Sequence, residues 1–218
     1  MMTKTAYVTG GASGIGKAVA HMLSDRGIRV AIADINVEQA QAVASTLAGN
    51  AMALSVNTAD WESQVTAFKT VLQSYQRIDY VYAIAGIGEK SWIPNDPART
   101  DFVKPNLSAL DVDLNGVLYT AALAIQQMRR QEPDEGGFRG KIAVAASVCG
   151  FYCVPTLPIY TAAKHGVVGF VRSYGKHLPA EQITLNAICP DVLRTGISKE
   201  EFYSVMEAKG LLVPMELV

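Results

Sequence analysis

The sequence predicts an α/β protein, a single doubly wound domain with a parallel sheet and helices on both faces. Three observations carry that expectation. Short β-rich apolar runs alternate along the chain with longer stretches of helical period. Some of these runs, Ile142-Ala-Val-Ala-Ala146 among them, are apolar without alternation, as strands covered on both faces are. The first run feeds straight into a glycine turn and then a helical pattern.

Taken in order, strands are expected at 6–9, 30–34, 51–56, 80–85, 142–146 and 184–188. Helices are expected between them at 16–25, 37–48, 61–75, 112–130 and 160–177, because each parallel crossover needs a long connection. Residues 131–140 read as a surface loop from their Pro, Gly and charge content. No repeat, linker or low-complexity tract interrupts the alternation, so residues 1–218 are expected to form one domain.

Composition removes several classes. Of 218 residues, 50% are hydrophobic and 18% charged, enough for a buried core and too apolar for disorder. Lys plus Arg number 19 against 20 Asp plus Glu, with no basic excess for nucleic acid. No apolar run was expected to reach the roughly 18 residues of a membrane span. Met1-Met2-Thr3-Lys4 runs directly into a strand-like segment, so no signal peptide and a cytoplasmic location are expected. Cys149, Cys153 and Cys189 are too few and too clustered for a disulfide framework and read as reduced thiols. Cys149 and Cys153 could suggest thiol or metal chemistry, but His21, His165 and His177 are tied to them by no motif. No metal is expected.

The glycine turn is Thr9-Gly10-Gly11-Ala12-Ser13-Gly14-Ile15-Gly16. Glycines at 10, 14 and 16 let the backbone approach a pyrophosphate, and the helix that follows offers unpaired N–H groups and a positive dipole end. Asp34 ends the second strand 18 residues after Gly16, where a carboxylate can bind the adenosine ribose hydroxyls. An acid there repels a 2′-phosphate, and neither Ser13 nor Ile35 supplies a cation to hold one. NAD is therefore expected over NADP.

At the other end, Tyr160 and Lys164 stand at i and i+4, on one helical face. A phenol working as a base near neutral pH needs its phenolate stabilised by about 4 kcal/mol, which a fixed cation can help supply. Ser147 ends the fifth strand 13 residues earlier, at the crevice where ligands of parallel sheets bind. Its hydroxyl could hold a substrate oxygen while Tyr160 exchanges the proton.

Together Thr9-Gly-x-x-x-Gly-Ile-Gly16, Ser147, Tyr160-x-x-x-Lys164 and Asn186-Ala-Ile-Cys-Pro190 resemble the short-chain dehydrogenase/reductase family from about Lys4 to Thr195. Tyr160-Thr-Ala-Ala-Lys-His-Gly-Val-Val-Gly-Phe-Val-Arg172 is most similar to NAD-dependent 15-hydroxyprostaglandin dehydrogenase-like members and their fungal relatives. The resemblance implies a Rossmann-type fold, with Tyr160 as general acid/base, Lys164 lowering its pKa and binding the nicotinamide ribose, and Ser147 orienting substrate. It implies cofactor contacts at Pro190, Leu193 and Thr195, and a homodimer through helices 112–130 and 160–177.

The chain departs from the family pattern in several places. The fourth strand ends Ala83-Ile84-Ala85-Gly86, without the family's paired asparagines, although Ala85 and Gly86 still let a cofactor lie against the backbone. The fourth tetrad position falls on Asp113 instead of Asn. If ionised, Asp113 would favour charged Lys164 and disfavour phenolate on Tyr160. Asp191 stands where glycine usually follows the proline, and Asn57-Thr58 where an acid usually contacts adenine. After Thr195 only one lid helix, 200–209, and the start of another, 213–218, are expected. Residues 196–218 thus read as a truncated lid, lacking the family's last strand and exposing the sixth strand as an edge.

The expected activity is NAD-dependent interconversion of an apolar secondary alcohol and its ketone, with Phe151–Pro158, Trp92 and Ile93 lining the pocket. The alternative is a nucleotide-binding protein of the same fold without redox turnover, a scaffold or non-redox catalyst, which the departures favour and the intact Ser147, Tyr160 and Lys164 oppose.

Overall fold

A computed structural model describes residues 3–49 and 51–215. The chain runs β1 (Thr5–Thr9), α1 (Gly14–Asp25), β2 (Arg29–Asp34), α2 (Val37–Ala44), β3 (Met52–Ser55), α3 (Trp61–Tyr75) and β4 (Tyr80–Ala83). It continues through α4 (Ser108–Leu110), α5 (Val117–Met128), β5 (Gly140–Ala145), α6 (Pro158–Tyr174), β6 (Ile183–Ile188) and α7 (Glu200–Ala208). All strand pairs are parallel, in the order β3-β2-β1-β4-β5-β6. The order reverses between β1 and β4, which places a crevice beyond their carboxyl ends.

Two apolar layers sandwich the sheet. On one face, Leu23 of α1 and Ala40 and Val43 of α2 pack on Val8, Val30 and Ile32. On the other, Phe68 and Val71 of α3, Ile125 and Met128 of α5 and Val167 of α6 pack on Tyr7, Val81, Ile142 and Leu185. Side-chain caps start the helices where the crossovers turn. Asp60 accepts the N–H groups of Glu62 and Ser63 at α3, and Asn36 accepts that of Gln39 at α2. Among the described residues β6 is an edge, as expected.

The predicted helix at 112–130 differs in form. It begins earlier, at Ser108, and residues Asp111–Gly116 make a π-helical turn between α4 and α5. Buried Gln64 stabilises that turn: its amide nitrogen donates to the Thr58 and Gly116 carbonyls at 2.6 and 3.0 Å. Thr120 Oγ1 adds a bond to the Gly116 carbonyl at 2.8 Å. The whole stretch Ser108–Met128 is long and apolar enough, by length and composition, to cross a membrane, which the sequence was not expected to contain. Its apolarity is that of a helix laid on a sheet, for Val117, Ala121, Ala124, Ile125 and Met128 are buried.

Two smaller expectations also change. Val213 does not open a helix: its N–H donates to the Val192 carbonyl at 2.8 Å and it bridges Leu193 as a parallel partner, while residues 216–218 of that expected helix lie outside the described residues. Asp191 makes its turn without left-handed backbone, its carboxylate accepting the Val192 N–H at 2.8 Å.

Candidate active site

The glycine turn is a steric necessity. Gly10 has φ +68°, and a Cβ there would stand 2.7 Å from the Ala85 Cα, so β1 and the end of β4 touch backbone to backbone. A Cβ on Gly16 would collide with the Gly10 carbonyl oxygen. Gly14, at φ +50°, faces Thr195, whose Cβ would lie 3.0 Å from an added methyl. Ser13 is extended and exposed, Ile15 half-buried, and α1 begins at Gly14 with no side-chain cap. Its first N–H groups are left for a ligand.

Asp34 closes this turn from β2. One carboxylate oxygen accepts the Ala12 N–H and the other the Asn36 N–H, each at 3.0 Å, which fixes the carboxylate beside the turn. Ile35 is 75% exposed, and neither it nor Ser13 brings a positive charge. The family's missing asparagines on β4 have a substitute in Thr9, whose hydroxyl oxygen accepts the N–H groups of Ile84 and Ala85 at 3.0 and 3.2 Å. Asn57 is exposed and caps its own turn onto Ala59. Thr58 points inward, where a Cβ on Gly116 would lie 3.0 Å from its hydroxyl.

Ser147, Tyr160, Lys164 and Asp113 come together at the carboxyl ends of β4 and β5. Ser147 follows β5, and its side chain acts on the Tyr160 phenol, drawing its pKa down. Its hydroxyl also accepts the Cys149 N–H at 3.1 Å. Lys164 is buried; its ammonium donates to the Ala145 carbonyl at 3.0 Å and stands 5.3 Å from the Tyr160 ring centre. Asp113, fully buried in the π turn, accepts the Ile87 N–H at 2.8 Å through one oxygen. Its other oxygen has no hydrogen-bond partner among the described residues. A Cβ on Gly86 would be 3.1 Å from Asp113 Oδ1 and 3.8 Å from Lys164 Nζ, so this glycine is the gap the two charges share.

Burial controls the electrostatics. It pushes the Asp113 carboxyl up to about 6, against the pull of Lys164 and the Ile87 N–H. It pushes the Lys164 ammonium down, with Asp113 opposing. The Tyr160 phenol moves up, through burial first and Asp113 second, with the Ser147 bond pulling down. The lowering expected of this phenol involves Lys164 together with a bound oxidised nicotinamide; in the protein alone burial and Asp113 hold it up.

Two contributors went unnoticed in the sequence. Glu89, in the loop after β4, accepts the backbone N–H of Tyr160 at 2.7 Å, and no motif marks it. Tyr203 of α7 is buried, and its hydroxyl bonds Thr195 at 3.2 Å and accepts the Ser198 N–H at 3.0 Å. It thereby ties α7 to the segment facing Gly14, and no motif marks it. Pro190 accepts the Val148 N–H at 3.0 Å, and Leu193 is buried beneath this segment. Among the described residues no cluster of metal-ligating side chains occurs, and Cys153 is exposed while Cys149 is buried.

Comparison with known proteins agrees with this geometry. The sequence profile of the short chain dehydrogenase family matches residues 4–204. The short-chain dehydrogenase/reductase prx7 of Penicillium rubens is 36% identical over 190 residues, covering 84% of this chain and 66% of its own length, so the chain spans about two thirds of that relative. Human 15-hydroxyprostaglandin dehydrogenase [NAD(+)] is 31% identical over 202 residues, 89% of this chain and 70% of that one. The crystal structure of a short-chain type dehydrogenase/reductase from Mycobacterium marinum superposes with a TM-score of 0.84 at 23% identity, covering 99% of this chain and 85% of that one.

Proposed function

Because the chain belongs to the short-chain dehydrogenase/reductase family, a family of oxidoreductases, we propose that it interconverts an apolar secondary alcohol and its ketone with NAD, Tyr160 exchanging the proton. The observation that carries the reading is the convergence of Ser147, Tyr160 and Lys164 beside Gly86, next to the strand end that Gly10 touches.

The residues present fit a dinucleotide. Gly10, Ser13, Gly14, Ile15 and Gly16 would hold the diphosphate, since any side chain at Gly10 or Gly16 would fill the backbone cradle. Asp34 and Ile35 would meet the adenosine ribose, and a 2′-phosphate would be repelled, which supports NAD over NADP. Asn57 and Thr58 would lie toward adenine, Ala85 and Gly86 under the cofactor. Lys164 and Tyr160 would take the nicotinamide ribose, and Pro190, Leu193 and Thr195 the carboxamide and phosphate side. When bound, the nicotinamide supplies or accepts a hydride at the substrate carbon.

Ser147 would hold the substrate oxygen and Tyr160 would give it a proton or take one. Phe151 and Tyr152 are exposed beside Ser147, as are Trp92 and Ile93 across the β4 loop, which supports an apolar substrate. Leu118 and Leu123 of α5 and Phe170 of α6 are only partly covered, in keeping with a homodimer through these helices.

The second reading, a nucleotide binder without redox turnover, is favoured by one observation, the buried carboxyl of Asp113. One experiment separates the two. Protein, NAD or its reduced form, and a panel of apolar secondary alcohols and ketones are mixed, and the reduced-nicotinamide absorbance is followed. Turnover is expected, with Tyr160→Phe slower by about 10²–10⁴. Equal rates for both proteins overturn the assignment of Tyr160, and cofactor binding without turnover favours the second reading.

A further inference from the structure

We propose that Asp113 sets the direction in which this site works best: its carboxylate behind Lys164 keeps Tyr160 in the hydroxyl form around neutral pH, gearing the protein to protonate a carbonyl oxygen more readily than to deprotonate an alcohol. The inference rests on the reading of Tyr160 as the acid/base group.

The geometry is a count of charges around one gap. Asp113 Oδ1 and Lys164 Nζ flank the space above Gly86, with no side chain between them. Facing Tyr160 are Lys164 from its own helix, Asp113 from the π turn, Cys149 from the turn after β5, and Glu89 from the β4 loop on its backbone N–H. Lys164 is faced in addition by Cys189 at the end of β6. Glu89 engages only the backbone of Tyr160, so the carboxyl that answers the Lys164 cation is that of Asp113. An ammonium alone would favour phenolate, but an ionised Asp113 across the Gly86 gap offsets its charge, and the phenol retains its proton.

The orphaned oxygen of Asp113 fits this reading. The Ile87 N–H engages one carboxylate oxygen, and no donor among the described residues reaches the other, so the protein groups around it compensate only part of the charge that acts on its neighbours. Its ionisation near pH 6 leaves it charged at neutral pH. In the favoured direction the C=O π bond opens as the carbon gains a hydride from the reduced nicotinamide, which is left oxidised. The oxygen gains the Tyr160 proton, and the phenolate recovers a proton from solvent.

The test is a near-ultraviolet phenolate titration of the cofactor-free protein, with Tyr160→Phe subtracted so that one of the nine tyrosines is read. Asp113→Asn, which retains an oxygen for the Ile87 N–H, is expected to lower the Tyr160 midpoint by about one pH unit or more. The ascending limb of kcat/KM for alcohol oxidation, which follows the phenolate, moves to lower pH with it, so oxidation near pH 7 rises about tenfold. An unchanged midpoint in folded Asp113→Asn overturns the proposal, whatever the turnover. Should that variant not fold, the wild-type midpoint decides, since a value at or below the ordinary tyrosine value of about 10 overturns it. A shifted midpoint in a protein that turns over no alcohol or ketone removes the enzyme reading, and with it the reaction this carboxylate would steer.

Discussion

The glycine turn and the Ser147–Tyr160–Lys164–Asp113 cluster meet at adjacent residues of one strand end, and they are built differently. Ala85 touches Gly10, and Gly86 faces Asp113 and Lys164. The turn works by having no side chains, and its shape follows from backbone sterics. The cluster works through side chains whose protonation is set by burial and by one another. The difference teaches where each half is vulnerable. The turn should fail by collision and independently of pH; the cluster should tolerate isosteric change and respond to pH.

The largest expected effect tests the turn. Gly16→Val would drive its side chain into the Gly10 carbonyl, against backbone that cannot swing away. A cost above about 3 kcal/mol is expected, and so a fall in melting temperature of about 10 °C or an insoluble product. Gly49→Ala is the control: φ is +81° but nothing lies within 4 Å, so only left-handed strain of about 1–2 kcal/mol is added. Thermal unfolding of both decides it. Equal losses would mean that the approach to Gly10 is not what requires glycine at position 16.

The cluster is tested by pH. The folded-state pKa of Asp113 is raised to about 6, so the folded protein holds this proton more tightly than the unfolded chain does. Stability from this group is therefore fully present below the ordinary carboxylate value near 4 and is lost as pH rises through about 6. Asp113→Asn lacks that loss. Its stability relative to wild type should climb by about 3 kcal/mol between acid and neutral pH and then level off. Denaturant unfolding across that range measures it. A flat difference would show Asp113 as solvated as an ordinary carboxylate, and the contrast with the pH-independent turn would vanish.

The same contrast explains what was legible in the sequence. The parallel doubly wound sheet could be read from the alternation of apolar runs and helical patterns, and the glycine turn because close backbone approach leaves missing side chains at fixed spacing. Tyr160 and Lys164 could be read as one helical face. The partners that tune them could not. Glu89 reaches Tyr160 across 71 residues, and Gln64 reaches the π turn across 52, distances at which sequence carries no periodicity. The upward shift of Tyr160 in the cofactor-free protein could not be read for a related reason: spacing places a cation near the phenol, but burial and the nearby carboxyl become visible only in three dimensions. The π turn was read as part of an ordinary helix at 112–130, since its residues suit one equally well.

The smallest expected effect tests whether the two halves are joined through the β4 loop. Helix α6 opens on Pro158, which has no N–H, and its N-cap Leu157 offers no side-chain bond. Glu89 supplies what the helix lacks: a carboxylate on the third residue's N–H, at the end where the dipole favours a negative charge. Glu89→Ala should cost about 1 kcal/mol, or about 2–4 °C in melting temperature. Because the bond lands on Tyr160 itself, turnover should fall further than stability does, by about tenfold, as the phenol loses its placement against Ser147. Glu89→Gln keeps an acceptor oxygen and should recover most of the turnover while recovering the helix-end charge interaction not at all. If Glu89→Ala lowers the melting temperature but leaves turnover intact, the carboxylate is a cap alone. The cluster would then hold its geometry through β5 and the π turn, with no help from the strand end that it shares with the glycine turn.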